Sequence, residues 1–485
     1  MLLVLLIAIP LLTGIFSFLS KNGAKAVALT GSLATLVVSL LAMSQFKGLI
    51  GGQPVAENST LLHQPMTFTM PWIESMGASF SLSLSSMSLM LVMLTGLIFS
   101  VIFIAQWNKE TNDVHRFSGL MMLAQAGLMG VFLANDLLLF YFFWELALIP
   151  VYFLCSTWGG DKRIKVTFKF FVYTFLGSLM MLAGVIWLYL QTPTRSFDYQ
   201  TILQTGSVLS DSTQQVLFWF FFIAFAIKMP IFPFHTWQPD TYEQSSTPVT
   251  IVLSALMVKM GLFATVKWLL PVVPSGVAAW GNTVMVLSVI GIIYASLVAM
   301  VQTDIKRLIA YSSIAHIGLM SLGIFAGNKI AMDGLMVQMF NHGVNITGMW
   351  LIVSMIEQRY DTRNLRELGG MAGSAPTMAI ALVIIAFANI ALPLTNGFIG
   401  EFMLFHGIFQ SANPNHILYM VLAGLGVILG AIYTLNMVQK VAYGEAKTGV
   451  MVTDVSKNEM IGLIVIIGLI LVLGVYPTLL FDLIA

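Results

Sequence analysis

Residues 225–267 read FAIKMPIFPFHTWQPDTYEQSSTPVTIVLSALMVKMGLFATVK, and the fold is decided by how this stretch is read. Lys228 follows a long apolar run, Pro230 and Pro233 break the helix behind it, and His235 comes next. After a polar connection a second apolar helix begins, with Lys259 near its middle. An ammonium in hydrocarbon costs roughly 2.5–3.5 kcal/mol on insertion scales. Two of them beside a proline-broken helix predict a buried polar path, for which the rest of the chain supplies partners.

Working outward, the composition makes this an integral membrane protein. Of 485 residues 58% are hydrophobic and only 9% are charged, against about 25% charged in soluble domains. Apolar runs long enough to cross a bilayer recur along the chain, so the spans are helices and not barrel strands. Fourteen are predicted: 1–19, 25–46, 83–107, 118–134, 136–155, 169–190, 215–235, 247–270, 278–301, 309–327, 332–355, 376–409, 417–439 and 459–482. The N-terminal run lacks a basic n-region and a small-residue cleavage site, so it reads as a retained first span. The net charge of +1 says nothing about nucleic acid, but no basic cluster large enough to bind it appears, so no nucleic-acid partner is expected. The single cysteine, Cys155, excludes an internal disulfide, a cysteine-held iron–sulfur cluster and a Cys-rich zinc site.

Loop charges give the orientation. Loops after odd-numbered spans carry sixteen Lys and Arg residues, among them Lys162, Arg163, Lys306, Arg307 and Arg363. Loops after even-numbered spans carry only Lys47, Arg195 and Lys329, which puts both termini on the outer, periplasmic side. The loop Gly48–Leu82 has no basic residue and fits an external segment. One internal loop, Gln238–Ser246, breaks the pattern, with Asp240 and Glu243 and no Lys or Arg.

The predicted class is an all-α polytopic membrane protein with no soluble linker. Span seven is interrupted at Lys228-Met-Pro230 and span twelve at Ala391-Leu-Pro393-Leu-Thr-Asn396-Gly397. Interrupted helices in corresponding positions of inverted halves point to an ion path. The expected division is an N-terminal three-helix segment (1–107), a first five-helix repeat (118–270), an inverted second repeat (278–439) and a C-terminal span (459–482).

The ionisable residues inside these spans are the candidate site. Glu145 sits mid-span among aromatic residues and must be protonated or find a cation, for which Lys228 is the candidate. Asp136, nine residues earlier and ~13 Å along the axis, belongs near the outer surface. Burial disfavours the charged form of Lys228 and Lys259 while a nearby carboxylate favours it, so both can load and release protons. The bland alternative for both, a static pair or a snorkelling side chain, suits Lys267 better, since it lies close to Pro271. His235, His316 and His342 fall in or at the ends of spans seven, ten and eleven; an imidazole can pass a proton between its two nitrogens. Glu401 follows the break in span twelve, where freed backbone groups and water let a carboxylate exchange protons. No metal motif is present, and the 31 methionines and aromatic runs need no cofactor.

These residues in this order resemble the antiporter-like membrane subunits of proton-pumping NADH:quinone oxidoreductase, complex I, a superfamily that includes large subunits of sodium/proton antiporters and membrane-bound hydrogenases. The likeness rests on FWELALIPVYFL with Glu145, on KMPIFPFHTWQPDTYEQSSTPVTIVLSALMVKMG with Lys228, His235 and Lys259, on DIKRLIAYSSIAHIG with His316, on FNHG with His342, and on LPLTNGFIGEF with Glu401. A Glu at the span-twelve position is the pattern of the M-type branch, the counterpart of mitochondrial subunit 4. Leu394 departs from that pattern, since many relatives carry Gly there.

The resemblance implies fourteen helices with two inverted five-helix repeats. It implies Glu145 and Lys228 as a coupling pair modulated by Asp136, Lys259 as the central relay, His316 and His342 as further steps, and Glu401 as the terminal carrier. It implies no cofactor in this chain, with NADH, FMN, iron–sulfur clusters and quinone elsewhere in the complex. The expected partners are the other membrane-arm subunits, including sister antiporter-like subunits, and membrane lipid, in a bacterial cell inner membrane. Rival readings are a sodium/proton antiporter subunit, a hydrogenase-linked pump, and a scaffold whose buried charges are frozen pairs.

Overall fold

In lipid every backbone N–H and C=O must find its partner within the protein, and each apolar run meets that demand by closing into a helix. The computed structural model describes residues 1–50, 66–445 and 452–484; His63 and Lys447 lie outside the described residues, as does part of the expected loop Gly48–Leu82. Eleven of the described helices are long and apolar enough to cross a membrane. The other three expected crossings fall on Asp211–Lys228, on Lys329–Tyr360, and on the pair Pro376–Asn389 and Asn396–Phe409.

The helix Thr247–Val272, which carries Lys259, is the central post: its apolar window is 100% buried inside the protein, against 28% for His416–Tyr443 and 33% for Leu2–Leu19. The last two therefore leave most of their surface uncovered by this chain. The central helix is also irregular, with π-turns at Leu253–Met257 and Thr265–Leu269, a distortion common at functional sites. Gly261 lets the broken span seven lie against it, since a Cβ there would come within 2.7 Å of Phe225 O.

Both expected interruptions are present. The first is sharper than the sequence reading, which carried span seven to residue 235. The helix Asp211–Lys228 stops at the lysine itself. Pro230 and Pro233 remove donors and forbid continuation. The chain then restarts as a helix at Gln238–Gln244, inside what reads as a polar connection, with Pro239 in its first turn. In span twelve Ala391 and Leu394 adopt φ of 55° and 74°. Such left-handed backbone costs a non-glycine residue about 1–3 kcal/mol. Leu394 is thus a leucine doing what a glycine does without a Cβ penalty.

In the described part of the expected loop Gly48–Leu82, strands Met66–Ile73 and Ala78–Leu84 pair as an antiparallel hairpin. On the opposite side the acidic exception is explained. Asp240 lies 2.8 Å from Lys169 and 3.0 Å from Arg307, and Glu243 lies 2.7 Å from Arg307. Burial pushes the Asp240 carboxyl up, but hydrogen bonds and charge from Lys169 and Arg307 outweigh it and hold it below the usual carboxylate range. This clasp joins the Gln238–Gln244 helix to the start of Ile305–Ala326, one from each half of the chain. The last span is tied in similarly, Arg359 gripping Glu459 through two bonds of 3.1 and 2.7 Å, while Glu459 closes a capping box with Ser456.

Candidate functional site

Four of the eight expected residues stand in one row across the buried centre, with a step between the two imidazoles that no hydrogen bond closes. Lys259 Nζ lies 2.8 Å from His342 Nδ1 and donates to Ser254 O at 3.0 Å. The His342 and His316 ring centroids are 5.5 Å apart. His316 Nε2 lies 3.4 Å from Glu401 Oε1. Lys259, His342 and Glu401 are all buried, Lys259 completely. With Lys259 donating to Nδ1, the His342 proton sits on Nε2, a buried atom without a hydrogen-bond partner.

His316 sees acceptors on both sides. Nδ1 faces Ser312 O at 2.8 Å, and Nε2 faces Asn389 O at 3.0 Å as well as Glu401. A ring protonated on both nitrogens is therefore bonded on both. Beside it a cleft of about 30 Å³ is lined by His316, Asn389, Glu401 and Tyr433, space for about one water molecule.

The sequence reading missed how span twelve's freed carbonyls are satisfied. Asn345 Nδ2 donates to Ala388 O at 3.1 Å, Asn341 Nδ2 to Asn396 O at 2.7 Å, and His316 takes Asn389 O. Gln338 Nε2 donates to Glu401 Oε1 at 3.3 Å. Gln338, Asn341 and Asn345 stand at i, i+3 and i+7, so a polar stripe on one helix face was there to be found.

Glu145 and Lys228 are neighbours in charge but not in contact. Each acts electrostatically on the other, yet Glu145 Oε1 and Lys228 Nζ are both buried with no hydrogen-bond partner. Lys228 lies over the Trp144 ring at 5.6 Å and at the C-terminus of its helix, where the helix dipole favours a cation. Two opposite charges held apart in a low-dielectric interior are sensitive to small displacements.

The remaining two residues stand elsewhere. His235 packs its ring against Phe232 and Tyr294, its Nδ1 is buried and unpartnered, and it makes no hydrogen bond to Lys228 or Lys259. Asp136 is fully buried as the N-cap of the Glu145 helix. It accepts from Leu138 N, Leu139 N and Ser79 N, each at 3.0 Å. Asp136→Asn keeps an oxygen for Leu138 N and Leu139 N but sets an amide NH2 against Ser79 N–H, so it is expected to lower the thermal midpoint while keeping proton pumping per assembled complex. Asp136→Ala should cost about 0.5–2 kcal/mol through the lost cap, seen as a lower thermal midpoint of the purified assembly; a pumping defect in the Asn variant would instead make it a proton carrier.

Lys267 corrects the sequence reading. It does not snorkel: it is 3% exposed, donates to Ala134 O at 2.7 Å, and lies 5.7 Å from the Tyr199, Phe263 and Trp268 ring centroids. Only the fold could show this, because Ala134 is far away in sequence. Among the described residues no cluster of three or more His, Cys, Asp or Glu is placed to hold a metal ion.

Residues 134–439 match the family model described as NADH:quinone oxidoreductase/Mrp antiporter, TM. The chain is 37% identical over 476 residues to NADH-quinone oxidoreductase subunit M of Rhodobacter capsulatus, covering 96% of this chain and 90% of that one. It is 33% identical over 495 residues to subunit M of Escherichia coli K12, covering 99% and 96%. Its structure superposes with a TM-score of 0.88 on a chain of respiratory complex I from Thermus thermophilus with bound NADH, at 27% identity and covering 100% and 97%.

Proposed function

Since the chain belongs to the NADH:quinone oxidoreductase/Mrp antiporter transmembrane family, we propose that it is the proton-translocating M-type membrane subunit of a respiratory NADH:quinone oxidoreductase. The observation that carries this reading is the buried row Lys259–His342–His316–Glu401, in which Lys259 meets His342 and His316 meets Glu401 directly while the two imidazoles face each other across 5.5 Å between ring centroids. A proton added at Lys259 meets an imidazole within hydrogen-bond reach, then a second imidazole, then a carboxylate. Each group exists in two protonation states, so each can pass the proton on. The Glu145–Lys228 pair biases the line: bringing the carboxylate nearer favours the charged lysine, and drawing it away favours release. Asp136 is read as the cap that positions Glu145, and His235 as an accessory group at the turn after Lys228.

The chain carries no redox centre in this proposal. NADH, FMN, iron–sulfur clusters and quinone belong to other subunits, and the chain works among the other membrane-arm subunits, its sister antiporter-like subunits included. The loop charges and the paired breaks support fourteen crossings arranged as two inverted repeats with both termini outside, and a bacterial inner membrane goes with the respiratory reading. The sodium/proton antiporter reading shares the family description, and purification of the native assembly separates the two. An assembly that holds flavin and acidifies one side of sealed vesicles on NADH addition is the expected result. Copurification with small membrane subunits alone, with no flavin and no NADH oxidation, would sink the respiratory reading; a nickel–iron partner would favour the hydrogenase-linked pump.

A further inference from the structure

The relay as described has no entrance at the side that carries the basic loops. Two clefts open there, each of about 520 Å³, and Glu357 lines both. Glu357 stands near the end of the helix that carries His342, fifteen residues further on and ~22 Å along its axis. Its two oxygens face different ways. Oε1 lies 2.8 Å from Lys306 Nζ, while Oε2 accepts from the Thr247 hydroxyl at 3.0 Å.

Thr247 is the first residue of the central helix. Behind it Thr250 and Ser254 follow at i+3 and i+7, on the same helix face. All three are buried. Ser254 Oγ donates to Thr250 O at 2.8 Å, and Ser254 O accepts from Lys259 Nζ at 3.0 Å within the π-turn. The three hydroxyls therefore lie on one face between an open charged cleft and the turn whose Ser254 carbonyl holds the central lysine, on a helix buried throughout its apolar window. Side chains three or four residues apart on a helix have Cβ atoms about 5–6 Å apart, so one bridging water can join their hydroxyls.

We propose that Glu357 is the proton-loading carboxylate for Lys259 and that the Thr247–Thr250–Ser254 face conducts the proton between them. The proposal rests on the functional reading above. In the step, protonated Glu357 gives its proton to the Thr247 oxygen as the Thr247 proton passes onward. The chain of hydroxyls and bridging waters shifts one proton along, and neutral Lys259 receives it. The products are a carboxylate at Glu357, restored to its pairing with Lys306, and an ammonium at Lys259 beside His342. Lys306 is 3% exposed and also donates to Ser245 O at 3.4 Å, so it stays in place when the carboxyl is neutral. Arg363 Nη1, 3.9 Å from Oε1, draws the carboxylate back to its charged form.

The test uses the intact complex in sealed vesicles, with NADH-driven proton movement read by a pH-sensitive dye. Glu357→Gln keeps an acceptor for Thr247 but cannot titrate, and pumping should fall by at least about tenfold; Glu357→Asp should recover a large part of it, which a packing role would not predict. The paired change Thr247→Val with Ser254→Ala leaves the Lys306 ion pair alone and should produce the same loss. Full pumping in Glu357→Gln, with Lys259→Met inactive, overturns the loading role and leaves the relay standing. Full pumping in both Glu357→Gln and Lys259→Met overturns the relay itself. If Glu357→Gln does not assemble, the paired hydroxyl variant decides, and normal pumping there refutes the proposal.

Discussion

Replacing Lys228 by methionine is expected to leave the membrane assembly intact and to reduce NADH-driven proton pumping about a hundredfold, the scale of a lost acid–base group. Assembly survives because Lys228 makes no hydrogen bond that its removal would break; methionine fills the same space against Trp144 and relieves the cost of a buried ammonium. Glu145→Gln should reproduce the defect, since its Oε1 is equally unpartnered. Because the two act as one switch, Lys228→Met with Glu145→Gln should be no worse than either change alone. Vesicles from the three strains, compared for assembled complex and for acidification rate, check all of this. Wild-type pumping in either single variant would remove the pair from the mechanism, and additive losses would show two independent roles.

Lys259 allows a cleaner separation of charge from proton transfer. Lys259→Met removes both and should also cost about a hundredfold in pumping. Lys259→Arg keeps a cation and a donor for Ser254 O and His342 Nδ1, but a guanidinium does not release its proton at physiological pH. If Lys259 carries protons, the arginine variant pumps as poorly as the methionine variant. If it is a fixed cation in a scaffold, arginine restores function and methionine does not. The site is tight, with Lys259 fully buried, so assembly is measured beside pumping. A pumping arginine variant is the result that ends the relay proposal.

The functional line was legible in part because ions inside hydrocarbon are rare and conspicuous. Lys228, Lys259 and Glu401 could be singled out by position within apolar runs, and Pro230 and Pro393 marked both breaks. Glu357 and Lys306 were not conspicuous, since charges near span ends read as ordinary solvated loop residues. Asp136 reads in the sequence as a modulator of the Glu145–Lys228 pair, and an acid at a span end gives no sign of its hydrogen bonds. Its cap is made to Leu138 N and Leu139 N of its own helix, while its second oxygen is held by Ser79 from a hairpin that reads in the sequence as a loop.

The sequence by itself determined that the chain lives in a membrane, where its helices break and that Glu145, Lys228, Lys259 and Glu401 lie within apolar runs, though not that Lys267 is buried as well. Those properties follow from hydropathy and from backbone chemistry, which act locally. Only the tertiary structure decided which of these groups meet. Lys259 and His342 are 83 residues apart and 2.8 Å from each other, whereas Lys228 and Glu145 are coupled without touching. Proton transfer is settled over distances of about 3 Å, and helix packing, through close approaches such as that at Gly261, sets those distances.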